Sequence, residues 1–119
     1  MKLQTLEKTK QAMIDDGNHW YVPFMDFVDE FRRSRDLRLV VTPMKSDHPR
    51  YEALLASTIE YLCDEQGIEP PAWVWEVPSC KDPWFVSGSE NLKAIAIAQS
   101  PAHFRRRKIF VLENFLSRV

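Results

Sequence analysis

The sequence is poor in glycine, and this scarcity excludes several common nucleotide-binding motifs. Only Gly17, Gly67 and Gly88 occur among 119 residues, too few for a phosphate-binding loop or a dinucleotide-binding fingerprint. Each glycine instead falls where a helix is expected to stop or start. There is no GxSxG elbow either, so the serines of the segment VSGSE are better explained as helix caps than as nucleophiles. We therefore expect no enzymatic activity.

Cysteine pairs, long apolar runs and an export signal are also lacking. Cys63 and Cys80 form no CxxC pattern, so we expect two reduced thiols. No run approaches the roughly 20 apolar residues that span a bilayer. The first ten residues, MKLQTLEKTK, lack the apolar centre of a signal peptide. These features predict a cytoplasmic protein that is not bound to a membrane.

Histidine is scarce, and its three positions do not form a metal-binding pattern. His19, His48 and His103 are spread along the chain, with neither an HExxH motif nor paired cysteines. A zinc site needs ligands at converging spacings, such as two histidines on one helix face. The sequence therefore predicts no metal site, and it indicates no other cofactor.

What the sequence does contain is typical of one small helical domain. Hydrophobic residues make up 45% of the chain and charged residues 28%, which is ordinary for a globular protein with a buried core. We expect an all-α domain of about four helices over residues 1–119. Residues 1–18 are polar enough that this end is expected to fray.

Apolar residues at helical spacing predict the first two helices. The first, over 3–15, has a modest stripe formed by Leu3, Leu6, Lys10 and Met13. The second, over about 20–34, has Asn18 as a plausible cap and Pro23 in its first turn. Its buried face is formed by Phe24, Phe27, Val28 and Phe31. The short segment LRLVVT that follows is either a strand-like connector or a helical turn.

The third helix has the strongest signals at both ends. Asp47 can cap it, Pro49 suits its first turn and Gly67 suits its end. Between them runs a continuous stripe of Tyr51, Leu54, Leu55, Thr58, Ile59, Leu62 and Cys63. We expect this helix to be the central element of the core.

A segment rich in proline and tryptophan, residues 69–88, separates the third helix from the last. Repeated proline excludes a long helix here, and its apolar side chains predict an ordered crossing packed on the helical body. A fourth helix is expected over 89–100, capped by Ser87 or Ser89, with a face formed by Leu92, Ile95, Ala96 and Gln99. The segment KIFV should be briefly extended, so at most one short strand pair is expected.

Two acidic residues of the third helix could in principle act together. Glu60 and Asp64 are four residues apart, and would lie on the same helix face. Paired carboxylates perform acid–base chemistry when burial separates their pKa values. Their acidic neighbours Glu52, Glu65 and Glu69 instead predict a solvated face, so an enzyme that uses this pair and a nearby histidine is a distant alternative.

The tryptophans of the crossing are candidates for a binding surface. In an extended segment Trp73 and Trp75 would point the same way, with Val74 opposite. Together with Trp84 they could form an aromatic pocket for a ligand or peptide. The simpler interpretation is that they cover one side of a small core.

A run of four cations, Arg105, Arg106, Arg107 and Lys108, lies near the end of the chain. It could contact phosphates, while Phe104 and Phe110 stack on bases. However, the whole chain has a net charge of −1, and nucleic-acid-binding domains are usually basic. Residues 48–70 carry five acidic residues against one arginine. We therefore expect at least one arginine to pair with Glu60, Asp64 or Glu65, while Phe104, Ile109 and Phe110 anchor this end on the core.

Residues 48–119 resemble an uncharacterised bacterial family. The resemblance rests on the segments YEALLASTIEYLCDEQGIEPPAW and PWFVSGSENLKAIAIAQSPAHFRRRKIFVLENFLSRV, and above all on a terminal PA-x-F-x-x-R-x-IF motif. Some relatives carry this region behind a helix-turn-helix domain, and some are encoded beside nucleotidyltransferases of the toxin–antitoxin kind. The first 45 residues here lack a convincing helix-turn-helix, so DNA binding does not carry over.

Together these features predict a non-enzymatic, cytoplasmic protein-interaction module. The resemblance implies an antitoxin-like regulator, or a partner of a neighbouring nucleotidyltransferase-type enzyme. The expected contact surface consists of Trp73, Trp75, Trp84, Arg105, Arg106, Arg107 and Lys108. The alternative is an accessory protein that binds nucleic acid through the basic run.

Overall fold

The computed structural model describes residues 5–87 and 90–117, and within these ranges the chain is mainly helical. The helices are α1 (Leu6–Asp16), α2 (Tyr21–Ser34), α3 (Pro49–Gln66), α4 (Lys93–Gln99) and α5 (Ala102–Arg105). The strands are β1 (Trp84–Phe85) and β2 (Ile109–Phe110). This confirms the expected all-α fold with one short strand pair. Three positions to which the sequence assigned a role lie outside the described residues: Leu3, Gly88 and Ser89.

The first two helices form largely as expected, apart from the cap of α2. Asn18 does not cap α2, because it lies in a 3-10 turn, Gly17–His19, that leads directly into the helix through Trp20. Pro23 does lie in the first turn. The predicted apolar stripe of α2 is confirmed, and the buried residues of this helix are Pro23, Phe24, Met25, Phe27, Val28 and Phe31.

Helix α3 has Pro49 at its start and a left-handed Gly67 at its end, as predicted. The predicted cap is wrong: the ring nitrogen Nδ1 of His48, and not Asp47, accepts the backbone N–H of Tyr51 at 3.4 Å. The Asp47 carboxylate instead accepts a hydrogen bond from a cation on α1. Eleven residues of α3 are buried, Glu52 and Glu60 among them, which makes this helix the centre of the core.

Lys10 is the cation on α1 that binds Asp47. It belongs to the apolar stripe that was predicted for this helix, and it is fully buried. Its Nζ lies 2.6 Å from Asp47 Oδ1 and 3.1 Å from Glu52 Oε2. It also donates to the carbonyl of Lys45 at 2.7 Å, and Glu7 is 3.4 Å away. Lys10 therefore fastens α1 to the loop that precedes α3.

The crossing after α3 is ordered, but it is not extended at its tryptophans. Residues Ala72–Glu76 form a 3-10 helix, which turns Trp73 and Trp75 to different sides and buries Val74 completely. The expected alternation was therefore wrong. The crossing ends at β1, which pairs in parallel with β2, so the predicted extended segment near the end of the chain is confirmed.

Helix α4 is shorter and more exposed than expected. It is preceded by a 3-10 turn, Glu90–Leu92, and Leu92 occupies its cap position without a side-chain bond, so Ser87 does not cap it. Of its residues only Ala96 is buried, whereas Ile95 is 44% exposed. Of the two structures expected for the segment LRLVVT, it adopts the helical turn and not the strand, as a 3-10 turn over Leu37–Leu39.

Both cysteines are free and buried, consistent with the expected unpaired thiols. Burial raises the pKa of the Cys63 thiol to about 11, so this sulfur stays protonated and unreactive at neutral pH. No helix in the described ranges is long and apolar enough to cross a membrane.

The contacts of Lys10 with Asp47 and Glu52 should contribute to the folding stability of the protein. Replacing Lys10 with Met leaves Glu52 buried without its cation, and we expect unfolding to cost about 3 kcal/mol less. This is the lower end of the range for a broken buried ion pair, since Asp47 remains open to water. Urea denaturation at pH 7 measures the effect. Lys8→Met, at an exposed position of the same helix, is the control and should change stability by less than about 0.5 kcal/mol.

The pH dependence follows from the same contacts. The hydrogen bond from Lys10 holds the pKa of Asp47 below its ordinary 3.8. Burial disfavours the charge of Lys10, but its bonds to Asp47 and Glu52 outweigh this and raise its pKa above 10.5. The stability difference between wild type and Lys10→Met should therefore be full between these values. It should shrink as pH falls through the folded-state pKa of Asp47 or rises through that of Lys10. A difference that fails to shrink as pH falls well below 3.8 or rises well above 10.5 would contradict this assignment.

Candidate functional site

The structure separates the three tryptophans of the expected contact surface. Trp73 is half-buried, and its indole N–H donates to the carbonyl of Val40 at 3.0 Å. Trp84 is also half-buried, with its ring centroid 5.8 Å from that of Trp20. Trp75, by contrast, is 56% exposed. Of the three, therefore, Trp75 offers the most surface to another molecule.

The basic run is divided in the same way, with Arg107 inside the fold. Its guanidinium forms an ion pair with Glu60 and donates to the hydroxyl of Ser57 at 3.2 Å. It also donates to the carbonyls of Val74 at 2.7 Å and Val77 at 3.2 Å. Arg107 therefore joins the end of the chain to both α3 and the crossing, and it is not accessible to a partner.

The other three cations are exposed, and each is held by a contact within the chain. Arg105 donates to the carbonyl of Ser100 at 2.7 Å, and Lys108 contacts the carbonyl of Lys81 at 3.4 Å. Arg106 donates to Glu60 Oε1 at 2.8 Å. Its guanidinium carbon lies 5.6 Å from the centre of the Trp75 ring. Arg106 and Trp75, both expected contact residues, are therefore neighbours.

The expectation of a solvated acidic face on α3 is wrong for Glu60, as it is for the buried Glu52. The Glu60 side chain is 1% exposed, because two arginines from the end of the chain reach it. Asp64, one helical turn later, is 75% exposed and lies 3.2 Å from Nε2 of His103. The predicted pairing of the basic run with α3 is confirmed, and so is the anchoring by Phe104 and Ile109, which are buried. Phe110, the third expected anchor, is only half-buried and stacks on Phe85.

These residues surround a groove of about 430 Å³, which we call the Trp75 groove. Its walls come from the second half of α3, the loop after it, the 3-10 helix of the crossing, and α5. The lining residues are Glu60, Asp64, Gly67, Ile68, Glu69, Pro70, Trp75, His103 and Arg106. Apolar side chains and exposed charges are thus presented together.

His103 lines the groove together with Glu60, Asp64 and Glu69, which are residue types that an acid–base site would use. Its Nε2 is occupied by Asp64, and its Nδ1 is buried without a hydrogen-bond partner. The tautomer that satisfies the Asp64 contact carries its proton on Nε2, and this leaves no ring nitrogen directed at a substrate. Among the described residues, no cluster of three or more histidine, cysteine or acidic side chains is placed to hold a metal ion.

Neither the place of His103 in the groove nor the burial of Arg107 was predicted from the sequence. One signal for Arg107 was present. Phe104 and Arg107 are three residues apart in a helical turn, where the N–H of Arg107 bonds to the carbonyl of Phe104 at 3.0 Å. Residues at this spacing share a face, so a buried Phe104 directs Arg107 inward as well.

The buried ion pair between Arg107 and Glu60 should also contribute to the folding stability of the protein. Arg107→Met removes the buried cation of the pair and leaves the Glu60 carboxylate with the half-exposed Arg106 alone, so we expect a loss of about 3 kcal/mol in urea denaturation. Arg105→Met, at the exposed position two residues earlier, should lose less than about 1 kcal/mol. Adding Glu60→Leu to Arg107→Met should recover part of the loss, because no buried carboxylate then lacks its buried cation. Equal losses in the two single variants would contradict the structural role of Arg107.

Searches of family models, of curated proteins and of solved structures find no match to this chain. What the groove does must therefore follow from its own chemistry.

Proposed function

We propose that this protein is a non-enzymatic protein-interaction module whose partner binds at the Trp75 groove. The observation that carries the proposal is the exposed indole of Trp75. A tryptophan gains more from burial than almost any other side chain, and it is among the residue types that dominate binding energy at protein interfaces. An exposed tryptophan in a groove is thus a suitable anchor for a partner.

Arg106 strengthens this proposal because it is held beside Trp75 before any partner arrives. Its bond to the buried Glu60 fixes one end of the guanidinium, while the side chain remains 54% exposed. Binding to a preorganised pair loses less side-chain entropy than binding to two free side chains. Arginine is also enriched among the residues that contribute most to interfaces.

The same geometry supports a binding role over catalysis. The candidate base, His103, has one nitrogen bonded to Asp64 and the other buried. The carboxylate of Glu60 is occupied by Arg106 and Arg107. A general base must be able to reach the proton that it removes, and neither group is free to do so.

Nucleic-acid binding through the basic run has less support. The charges of Arg106 and Arg107 are balanced in part by Glu60, and Arg107 is buried. A phosphate-binding track needs several accessible cations on one side. Arg105 and Lys108 are the two that do not face a carboxylate in the described contacts.

The resemblance over residues 48–119 suggests which partner to test. It implies a nucleotidyltransferase-type enzyme encoded nearby, with this chain as its antitoxin-like regulator or accessory subunit. The Trp75 groove lies wholly within those residues. We therefore propose a protein encoded beside this one as the partner.

Co-expression with each neighbouring gene product tests the proposal. We expect one neighbour to co-purify with this chain, and Trp75→Ala to weaken the complex by at least about 2 kcal/mol, roughly 30-fold in Kd. Val22→Ala, at an equally exposed apolar position on α2, should leave the affinity unchanged. Failure of every neighbour to bind, or a Trp75→Ala complex of wild-type affinity, would overturn the proposal.

A further inference from the structure

We infer that the Trp75 groove binds an extended protein segment in which a lysine or arginine stands beside an apolar residue. This inference rests on the proposed function, since it specifies the chemistry of the partner at that site. It follows from how the fold distributes its own charges.

Most of the acidic residues on and around α3 are neutralised inside the molecule. Three of the five acids within 48–70 pair with lysine or arginine: Glu52 with Lys10, Glu60 with Arg106 and Arg107, and Glu65 with Arg32. The remaining two are Asp64 and Glu69, and both line the groove. No lysine or arginine within 5–87 or 90–117 forms an ion pair with either of them. The uncompensated negative charge of this region is therefore concentrated where the groove lies.

The end of α3 adds to this negative potential. The carbonyl end of a helix carries partial negative charge and favours cations nearby. The last turn of α3 contains Asp64 and Glu65 and no basic residue, which is the reverse of the favoured arrangement. A cation bound beside Asp64 would relieve the repulsion. The carbonyl end of α3 therefore favours a cationic ligand, as the carboxylates of Asp64 and Glu69 do.

The apolar part of the groove can hold the rest of such a segment. Ile68 and Pro70 are half-buried in its wall, and the ring of Trp75 is exposed next to them. The aliphatic stem of a lysine or arginine can lie on apolar surface while its charged end reaches a carboxylate. A cation can also bind the face of an indole ring, as Arg106 already does at 5.6 Å.

Arg106 does not remove the need for a second cation. Its guanidinium is bonded to Glu60, so it satisfies a carboxylate at the wall and leaves Asp64, whose partner is His103, and Glu69 without a lysine or arginine. An acidic peptide or a nucleic acid would bring further negative charge against these two groups. Such repulsion selects against the wrong partner, in addition to the attraction that selects the right one.

The inference is tested on the full chain with three capped octapeptides of defined composition. The first alternates lysine and leucine between glycines, the second has glutamate in place of lysine, and the third has serine in place of leucine. Binding is followed from the indole N–H signals in NMR spectra, with the Trp75 signal assigned from Trp75→Phe. We expect the lysine–leucine peptide to shift this signal and to bind at least about tenfold more tightly than either other peptide, with affinity falling as salt increases.

Two variants locate the selectivity. Glu69→Gln and the double variant Asp64→Asn/Glu69→Gln should reduce the preference for lysine over glutamate stepwise. Asp15→Asn, an exposed carboxylate on α1, should preserve that preference. Circular dichroism and the signals of Trp73 and Trp84 show whether each variant is folded. If the double variant is not folded, the exposed single change Glu69→Lys serves instead and should abolish lysine-peptide binding.

The outcomes separate this inference from the proposed function. A partner that requires Trp75, combined with tighter binding of the glutamate peptide or equal binding of all peptides, overturns the inference and leaves the interaction role intact. A single-stranded oligonucleotide that shifts the Trp75 signal and displaces the lysine–leucine peptide overturns it as well. If no neighbour binds but the lysine–leucine peptide does so with dependence on Glu69, the groove chemistry is supported and the proposed partner is wrong.

Discussion

The buried ion pair between Arg107 and Glu60 is the interaction on which the rest of the structure depends. One guanidinium bonds to α3 through Glu60 and Ser57, and to the crossing through the carbonyls of Val74 and Val77. Burying a cation is costly unless its donors find acceptors, and here carboxylate, hydroxyl and carbonyl oxygens accept hydrogen bonds from all three nitrogens of the guanidinium. The end of the chain, the crossing and the central helix are therefore held at one point. The Trp75 groove exists because these three segments meet there.

Much of the helical framework could be predicted from the sequence, because its signals are local. Pro49 and Gly67 mark the ends of α3 through their own backbone preferences, and the phenylalanines of α2 repeat at the spacing of one helix face. The anchoring of the last segment by Phe104 and Ile109 was predictable for the same reason, since apolar side chains near a chain end gain free energy by packing on the core. In each case the residue and its immediate neighbours carry the information.

Pairing of the basic run with α3 was predicted, but which charges are buried was not, because each buried charge depends on partners distant in the sequence. Lys10 meets Asp47 across 37 positions, and Arg107 meets Glu60 across 47. The errors at the helix caps have the same origin: Asp47 could cap α3 by its local geometry, but its bond to Lys10 leaves that role to His48. Of the candidate site, Trp75 and Arg106 were identified from residue type alone. Their adjacency, and the role of His103, required the fold.

The position of Trp75 between two acceptors of Arg107 links recognition to the stability of the whole domain. The carbonyls of Val74 and Val77 flank this tryptophan along the chain and are bonded to the guanidinium that fastens the end of the chain to α3. A ligand that binds the native groove and not the unfolded chain shifts the folding equilibrium by mass action. Arg107 bonds both to the groove wall and to α3, so stabilising the groove also stabilises the core to which it is joined. Occupancy of the groove would then protect backbone amides as distant as those of α3 from hydrogen exchange, and an unoccupied chain would be correspondingly more open to proteolysis.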